Sequence, residues 1–324
     1  VDNETLGGAT THSEISGVTD NKFDSDEACL DYIKDIFSKL GEPEHAGFNR
    51  QTTKPPKLDP ADIYGIIPAD KAKPYDTLEI IKRLVDESKF SEYKKGYGKT
   101  IVCGTARIDG WAVGIVANQR NIVKSGKGEM QMGGVIYSDS ADKAARFIMN
   151  CNQRKVPLVF LQDVSGFMVG SKAESGGIIK DGAKMVNAVS NSVVPKFTII
   201  MGNSFGAGNY AMCGKAYDPR FIYAWPGAQM AVMSGAAAAN TLLQIKVASA
   251  KAKGETMSEE DKELHLEKIK GLYESQLSPY YAAARLWTDG IIDPLETRKS
   301  ISMGIEAANH APISEKFNVG VIQT

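Results

Sequence analysis

The chain has 324 residues, a formal net charge of −1, 43% hydrophobic residues and 24% charged residues. This balance is typical of a globular protein with a core, and the length predicts one large domain or two modest ones. A net charge near zero excludes a basic groove along the whole chain and disfavours duplex nucleic acid as a partner. The longest weakly polar stretch, 221–243, contains Pro226, Gln229, Ser234 and Asn240, so it predicts no membrane-spanning helix.

The four cysteines, Cys29, Cys103, Cys151 and Cys213, show neither a CxxC pair nor a zinc-ligand spacing. Most of their neighbours are apolar, so we predict buried, reduced thiols in a reducing compartment. The four histidines are scattered along the chain, and no metal site is predicted.

The first part of the chain contains two predicted helices separated by a connection. Apolar residues recur at helical spacing over 25–40, which predicts the first helix. The polar, proline-bearing stretch 42–60 is the best candidate for a domain boundary. Asp76 is the predicted cap of the second helix, and Glu79 occupies the capping-box position.

A hairpin follows, and then a repeated unit of strand, glycine-bearing loop and helix. Residues 100–108 and 111–118 alternate between apolar and polar, and the intervening Asp109-Gly110 is a strong turn signal. Strands alternating with helices predict an α/β layered domain. The further predicted strands are 156–161, 193–201 and 221–225, with helices beginning near Ala141, containing Met185, and following 202–210.

The most suggestive candidate site is the junction at 197–212, where a predicted strand runs through GNSFGAG at 202–208 into a helix. Glycines allow a ligand to approach the backbone closely, and unpaired amides at a helix start can hold a developing negative charge. Each amide aimed at an oxyanion is worth about 3 kcal/mol. A tight turn that needs small residues for packing would produce the same pattern, so the local sequence leaves both interpretations open.

The same junction contains GxSxG at 202–206, the pattern of a hydrolase nucleophile elbow with Ser204 as the nucleophile. His265 and His310 follow it, so the chain order of a Ser–acid–His triad is available. A solvated role for His265 and a turn at His310 are the competing interpretations. In the second glycine loop, 162–170, Asp163 is the only acid, and we interpret it as a cap or turn residue rather than a catalytic one.

Several longer stretches resemble the carboxyltransferase (beta) subunit of biotin-dependent acyl-CoA carboxylases, especially the methylcrotonyl-CoA carboxylase branch. The segment GAGNYAMCG at 206–214 favours that branch, and geranyl-CoA carboxylase remains an alternative. The matching stretches keep the family's order from about residue 60 to 315: FSEYKKGYG at 90–98, LQDVSGFMVG at 161–170, KDGAKMV at 180–186, GAGNYAMCGKAY at 206–217, YAWP at 223–226 and WTDGIIDP at 287–294.

The resemblance implies an α/β, crotonase-like fold, a spiral of ββα units. In this family the N-terminal half mainly binds the acyl-CoA and the C-terminal half mainly binds biotin. Residues 7–18 resemble the end of the N-terminal half, so 1–45 is predicted to be a remnant of that half, 46–60 a linker, and 61–324 the C-terminal, biotin-side domain. The oxyanion hole on the CoA side would then lie outside this sequence.

The resemblance also implies a mechanism that uses backbone amides. The amides that stabilise the biotin enolate fall on Ala207 and Gly208, which are therefore the implied catalytic groups. The loop of Gly166 and Phe167 lines the same pocket as Gly206, Ala207 and Gly208, and these five residues are the implied biotin-binding set. Biotin arrives on a carrier subunit or domain, its N1 takes a proton from the acyl-CoA, and the resulting thioester enolate attacks CO2. No metal is implied.

The implied function is carboxyl transfer from carboxybiotin to an acyl-CoA, with a methylcrotonyl-CoA-like substrate favoured. Alternatives are a decarboxylase subunit of a sodium pump, a serine hydrolase centred on Ser204, and an assembly piece without activity. The implied partners are a biotin carboxylase and biotin carrier subunit, the acyl-CoA, and further copies of the chain in dimers that form a hexamer, with no nucleic acid and no membrane. The implied location is the cytoplasm in a bacterium and the mitochondrial matrix in a eukaryote.

Overall fold

The computed structural model describes residues 1–42, 44–254 and 256–322, and the chain divides into two compact units, Val1–Glu44 and His45–Thr324. The smaller unit contains the helices α1 (Asn3–Gly7) and α2 (Asp26–Lys39), with a π-helix at Thr11–Ile15. Ser25 Oγ accepts a hydrogen bond from the Ala28 amide and caps α2, which confirms the predicted helix at 25–40.

The larger unit contains the strands and the remaining α-helices. Its strands are β1 (Ser91–Tyr93), β2 (Ile101–Ile108), β3 (Trp111–Asn118), β4 (Val123–Lys124), β5 (Met130–Gln131), β6 (Val135–Ile136), β7 (Leu158–Val164), β8 (Gly166–Phe167), β9 (Lys196–Phe205), β10 (Phe221–Ala224), β11 (Gln229–Ala231) and β12 (Gly290–Ile291). Its helices are α3 (Ile63–Ile66), α4 (Thr77–Leu84), α5 (Ser138–Gln153), α6 (Ser171–Ser175), α7 (Ile178–Ser190), α8 (Gly206–Ala211), α9 (Gly235–Ala252), α10 (Glu259–Leu277), α11 (Pro279–Ala283) and α12 (Thr297–Asn309).

An eight-stranded mixed sheet organises the larger unit in the order β1-β2-β3-β7-β9-β10-β12, and β11 also pairs with β9. The pairs β1–β2 and β2–β3 are antiparallel, and the other pairs of this sheet are parallel. Parallel strands need crossover connections, which the helices between them supply. The predicted α/β architecture is therefore confirmed.

The hairpin turn between β2 and β3 has the geometry that the sequence predicts. Asp109 and Gly110 have φ angles of 52° and 82°, the left-handed values that suit a two-residue turn between twisted strands. Their amides both donate to the buried Asp86 carboxylate over 2.9 Å. Arg298 pairs with the same carboxylate at 2.6 Å, so the turn is tied to α12.

Apolar residues cover both faces of the sheet. On one face, Ile80 and Ile81 of α4 and Ile301 and Ile305 of α12 belong to a core cluster with alternate residues of β2, β3, β7 and β9. On the other face, residues of α5 and α7 form a second cluster with the intervening strand residues. Because strand side chains alternate between faces, nearly continuous apolar strands such as β7 are buried on both sides.

The segment 46–60 belongs to the larger unit, which begins at His45. The Ala46 amide donates to the Asn309 carbonyl oxygen over 2.8 Å, and Phe48 is buried. The Arg50 guanidinium lies 4.6 Å from the centre of the Trp111 ring. These contacts attach the segment to the sheet, and the origin of 1–45 as a remnant of another half stays a prediction.

Two local predictions differ from the structure. Asp76 caps α4 through the Leu78 amide as expected, but the Glu79 carboxylate pairs with Lys82 and Arg83 instead of completing a capping box. The strand predicted at 193–201 is β9, which continues to Phe205. The serine of GxSxG therefore lies inside a strand and not in a turn.

Cys103, Cys151 and Cys213 are buried and free, as predicted, and Cys29 is partly buried. Burial raises the pKa of each of the three buried thiols to about 12. These groups are therefore protonated at neutral pH and are poor nucleophiles. None of the helices in the described part of the chain combines the length and apolar character that crossing a membrane requires.

Candidate functional site

Two glycine-bearing segments meet where the neighbouring strands β7 and β9 end. β7 ends at Val164 and is followed by β8, and β9 ends at Phe205 and runs directly into α8. A Cβ atom on Gly208 would lie 2.6 Å from Val164 Cγ2 and 3.2 Å from Gly166 Cα. This approach of the two backbones is open only to glycine at position 208. Because adjacent parallel strands end at one edge of a sheet, the two predicted loops lie side by side and make one candidate site.

In the part of the chain that the structure describes, the start of α8 leaves its first backbone amides without a side-chain cap. Gly206 has a φ angle of 52°, and Ala207 is exposed while Gly208 is buried. The amides of a helix's first turn have no partner within the helix. The junction can therefore donate hydrogen bonds to an anionic oxygen.

The second wall of the site is the segment from Gly166 to Met168, which pairs with β6. The Met168 amide donates to the Ile136 carbonyl oxygen over 2.9 Å and holds this segment in place. Gly166 has a φ angle of 141°, and none of the described atoms outside its immediate chain neighbours would lie within 4 Å of a Cβ there. The Phe167 ring covers Gly182 of α7, where a Cβ would lie 2.8 Å from Phe167 Cε1. The open backbone of Gly166 thus lies beside α8, and the neighbouring Phe167 ring packs against α7.

Asp163, near the end of β7, links the two segments through hydrogen bonds to its side chain. Its carboxylate is buried, accepts hydrogen bonds from the Tyr75 hydroxyl at 2.8 Å and the Asn203 amide at 2.9 Å, and pairs with Arg120 at 3.3 Å. Burial first, and then the neighbouring Asp163 charge, raise the pKa of Tyr75 well above its usual value. A Cβ on Gly202 would lie 2.4 Å from the Asp163 carboxyl carbon. The predicted role of Asp163 as a cap or turn residue is therefore wrong, because it lies inside β7 and is a buried link between strands.

Asp163 lies at the point where the pairing of β7 with β9 is irregular. The register between β7 and β9 shifts, because Gln162 pairs with Ile200 whereas Val164 pairs with Ser204. The bond from the Asn203 amide to Asp163 spans this irregularity. Such bulges redirect a strand and are frequent next to active sites. Beyond this shift β9 continues to Phe205, and α8 begins at the next residue.

The hydrolase interpretation of GxSxG is not supported, because Ser204 is buried within β9 and its hydroxyl is already used. Ser204 Oγ donates to Gln162 Oε1 and accepts from Asn209 Nδ2, each over 2.7 Å. His265 Nδ1 lies 3.4 Å from Lys246 Nζ, and the His310 ring lies 4.9 Å from the His45 ring. Neither histidine contacts Ser204, so no triad is assembled.

Sequence reasoning missed the polar residues that hold the site together. Gln162 and Asn209 were visible within the motifs, and a polar pair at the end of an apolar strand was a usable signal for Gln162. Tyr75 and Arg120 lie in distant segments, and no local pattern identifies them. Among the residues that the structure describes, no group of three or more His, Cys, Asp or Glu side chains could hold a metal ion.

Comparisons with known proteins give matches along nearly the whole chain. The sequence profile of the family described as carboxyl transferase domain matches residues 1–319. The chain is 45% identical to the biotin-dependent 3-methylcrotonyl-coenzyme A carboxylase beta1 subunit of Mycobacterium tuberculosis over 312 residues. The aligned region covers 96% of this chain and 56% of that protein.

Two solved structures are similar in fold. The beta subunit of P. aeruginosa geranyl-CoA carboxylase matches with a TM-score of 0.81 and 35% identity, covering 99% of this chain and 59% of that one. A transcarboxylase 12S crystal structure, described as a hexamer assembly with hydrolysed methylmalonyl-coenzyme A bound, matches with a TM-score of 0.68 and 35% identity over 95% of this chain and 56% of that one. The predicted crotonase-like fold is thereby confirmed, and the chain spans little more than half the length of these proteins.

Proposed function

This chain belongs to the carboxyl transferase domain family, and from that premise we propose that it provides the biotin side of a carboxyl transfer from carboxybiotin to an acyl-CoA. The observation that carries the proposal is the junction of β9 and α8, where the Ala207 and Gly208 amides lie at an uncapped helix start beside the open backbone of Gly166. A methylcrotonyl-CoA-like substrate is favoured because the Mycobacterium tuberculosis relative bears that name.

The residues of the junction fit a small, flat ligand that carries a polar oxygen. A Cβ on Gly208 would collide with Val164, so a glycine is needed for the walls to come together, and the Phe167 ring supplies an apolar surface. Biotin, when bound in its carboxylated form, supplies CO2 and is left with negative charge on its ureido oxygen. Donors that are already in place stabilise such a charge without reorganisation, which makes each worth about 3 kcal/mol.

Each part of the chain has a distinct role in this proposal. The Ala207 and Gly208 amides would donate hydrogen bonds to the charged oxygen. Gly166 and Phe167 would border the ring and keep water from it, which strengthens those hydrogen bonds. The same donors serve the transfer in either direction, so flux depends on the partner subunits. Ser204 has no part in bond making.

The proposed partners follow from the relatives' names. A biotin carrier subunit would deliver carboxybiotin, since the Mycobacterium tuberculosis relative is described as a biotin-dependent carboxylase subunit. Further copies of the chain would form a hexamer, as the transcarboxylase 12S structure is described as doing. The acyl-CoA would be held in part by a carboxyltransferase half outside this sequence, with 1–45 as its remnant.

A proline at position 207 tests the proposal directly. Ala207 is the exposed second residue of α8, where proline removes the amide hydrogen without disturbing the helix interior. We expect Ala207→Pro to lower the transfer rate from a carboxylated biotin carrier to 3-methylcrotonyl-CoA by about 10²–10³. The assay uses the assembled carboxylase and follows product by chromatography.

The matched control is Ala236→Pro, the same substitution at the exposed second residue of α9. We expect this variant to keep its transfer activity while sharing any general cost of the added proline. Equal activity of the two variants would contradict the assignment of the Ala207 amide.

A further inference from the structure

A chain of two buried hydrogen bonds and one partly buried one attaches α8 to the sheet at two points. Gln162 Nε2 donates to the Met212 carbonyl oxygen over 2.6 Å, just beyond the end of α8. Gln162 Oε1 accepts from Ser204 Oγ over 2.7 Å, and Ser204 Oγ accepts from Asn209 Nδ2, within α8, over 2.7 Å. Ser204 is the central member, because its single hydroxyl both donates and accepts.

The helix needs such an attachment because it is short. α8 has six residues, and it buries only Gly208 and Ala211. A helix of this length closes few internal hydrogen bonds, so its orientation depends on contacts with the rest of the fold. Bonds at Asn209 and Met212 lie near the middle and just past the end of the helix. Two such points fix its rotation about its own axis.

We propose that Ser204 is a positioning residue that sets the direction of the Ala207 and Gly208 amides by linking Gln162 to Asn209. This inference rests on the proposed function only for its effect on transfer, since the link itself is a property of the fold. Gln162 is fully buried and Ser204 is 2% exposed, so water does not replace a lost bond readily. Removal of the hydroxyl would leave the Gln162 oxygen and the Asn209 amide group without their partner.

The test compares Ser204→Ala with Ser140→Ala. Ser140 is also buried, and its hydroxyl also makes two hydrogen bonds, both to Tyr137 at the start of α5. The first readout is hydrogen exchange of the backbone amides at 205–213 in the full chain, followed by mass spectrometry. We expect exchange there to become about tenfold faster in Ser204→Ala and to stay unchanged in Ser140→Ala.

The second readout is transfer from the carboxylated biotin carrier to 3-methylcrotonyl-CoA in the assembled carboxylase. We expect kcat to fall about tenfold in Ser204→Ala with an unchanged KM for the acyl-CoA, because only the donor direction changes. Asn209→Ala removes one bond of the same chain, and its effect on exchange should be less than additive with that of Ser204→Ala.

Unchanged exchange at 205–213 in Ser204→Ala would overturn the positioning role. Labelling of wild-type Ser204 by a fluorophosphonate probe would also overturn it, because the hydroxyl would then be free to react. Faster exchange with full transfer activity would support the link and contradict the proposed function instead, so the two failures are distinguishable.

Discussion

The two helices at the site, α7 and α8, follow neighbouring strands but are held in place in different ways. α7 has 13 residues and buries Met185, Ala188 and Val189 in the core. α8 has six residues and is attached by polar bonds beneath it. Apolar burial serves a helix that only has to cover the sheet. Under the proposed function, directional bonds suit a helix whose backbone amides must face a ligand at one angle.

The comparison predicts its largest stability effect in α7. Met185→Ala removes a fully buried side chain from the core, so we expect the free energy of unfolding to fall by about 2–5 kcal/mol. Urea denaturation followed by circular dichroism measures the change. Ile179→Ala, on the same helix with Ile179 75% exposed, should stay within about 0.5 kcal/mol of wild type. Similar losses in both variants would contradict the idea that burial holds α7.

A smaller effect is expected in α8, where a methyl group would separate the two walls of the site. Gly208→Ala places a Cβ 2.6 Å from Val164 Cγ2, so we expect a loss of about 1–3 kcal/mol in unfolding free energy. Carboxyl transfer should also fall, because α8 must move away from Gly166. Combined with Val164→Ala, the change should be less than additive in a double-mutant cycle.

The control for this substitution is Gly271→Ala inside α10, where a new Cβ would meet none of the described atoms within 4 Å. We expect it to leave transfer unchanged and to stabilise the helix by up to about 1 kcal/mol. Additive effects of Gly208→Ala and Val164→Ala would show that the two positions are not in contact.

The last effect is absent at neutral pH and concerns the titration of Cys151 on α5, the helix that packs against α7. Burial raises the pKa of this thiol from 9.0 to about 12, so the unfolded chain loses its proton first as the pH rises. The stability that this proton contributes is complete below pH 9.0 and is lost between pH 9.0 and about 12. In Cys151→Ala, the fall in unfolding free energy above pH 9.0 should be shallower by about 1.4 kcal/mol per pH unit. The same fall of the unfolding free energy with pH in both proteins, measured by denaturation at several pH values, would contradict this.

Much of the fold was predictable from short-range patterns. The turn at Asp109 and Gly110 was visible because left-handed backbone favours such residues, and α5 and α7 were visible from their apolar spacing. The end of β9 was not, because polar Asn203 and Ser204 look like loop residues. Their burial depends on partners in β7 and α8 that supply hydrogen bonds.

The glycine loops of the site were predictable because the features that mark them are local. The residues that position them were not, since Tyr75 reaches Asp163 across 88 residues of sequence and Gln162 reaches Ser204 across 42. Local sequence patterns predict which backbone segments a ligand can approach closely. They do not predict which buried side chains from distant segments fix the position of that backbone.

The hydrogen bond from Tyr75 to Asp163 limits how far the chain can be shortened. Tyr75 precedes β1, so a fragment cut at Ser91 would keep every strand of the main sheet and both glycine loops. That fragment would lack the phenol that satisfies Asp163, and solvent would enter the space where the buried ring now lies. The shortest fragment that preserves the site must therefore begin no later than residue 75, well ahead of the first strand of the sheet.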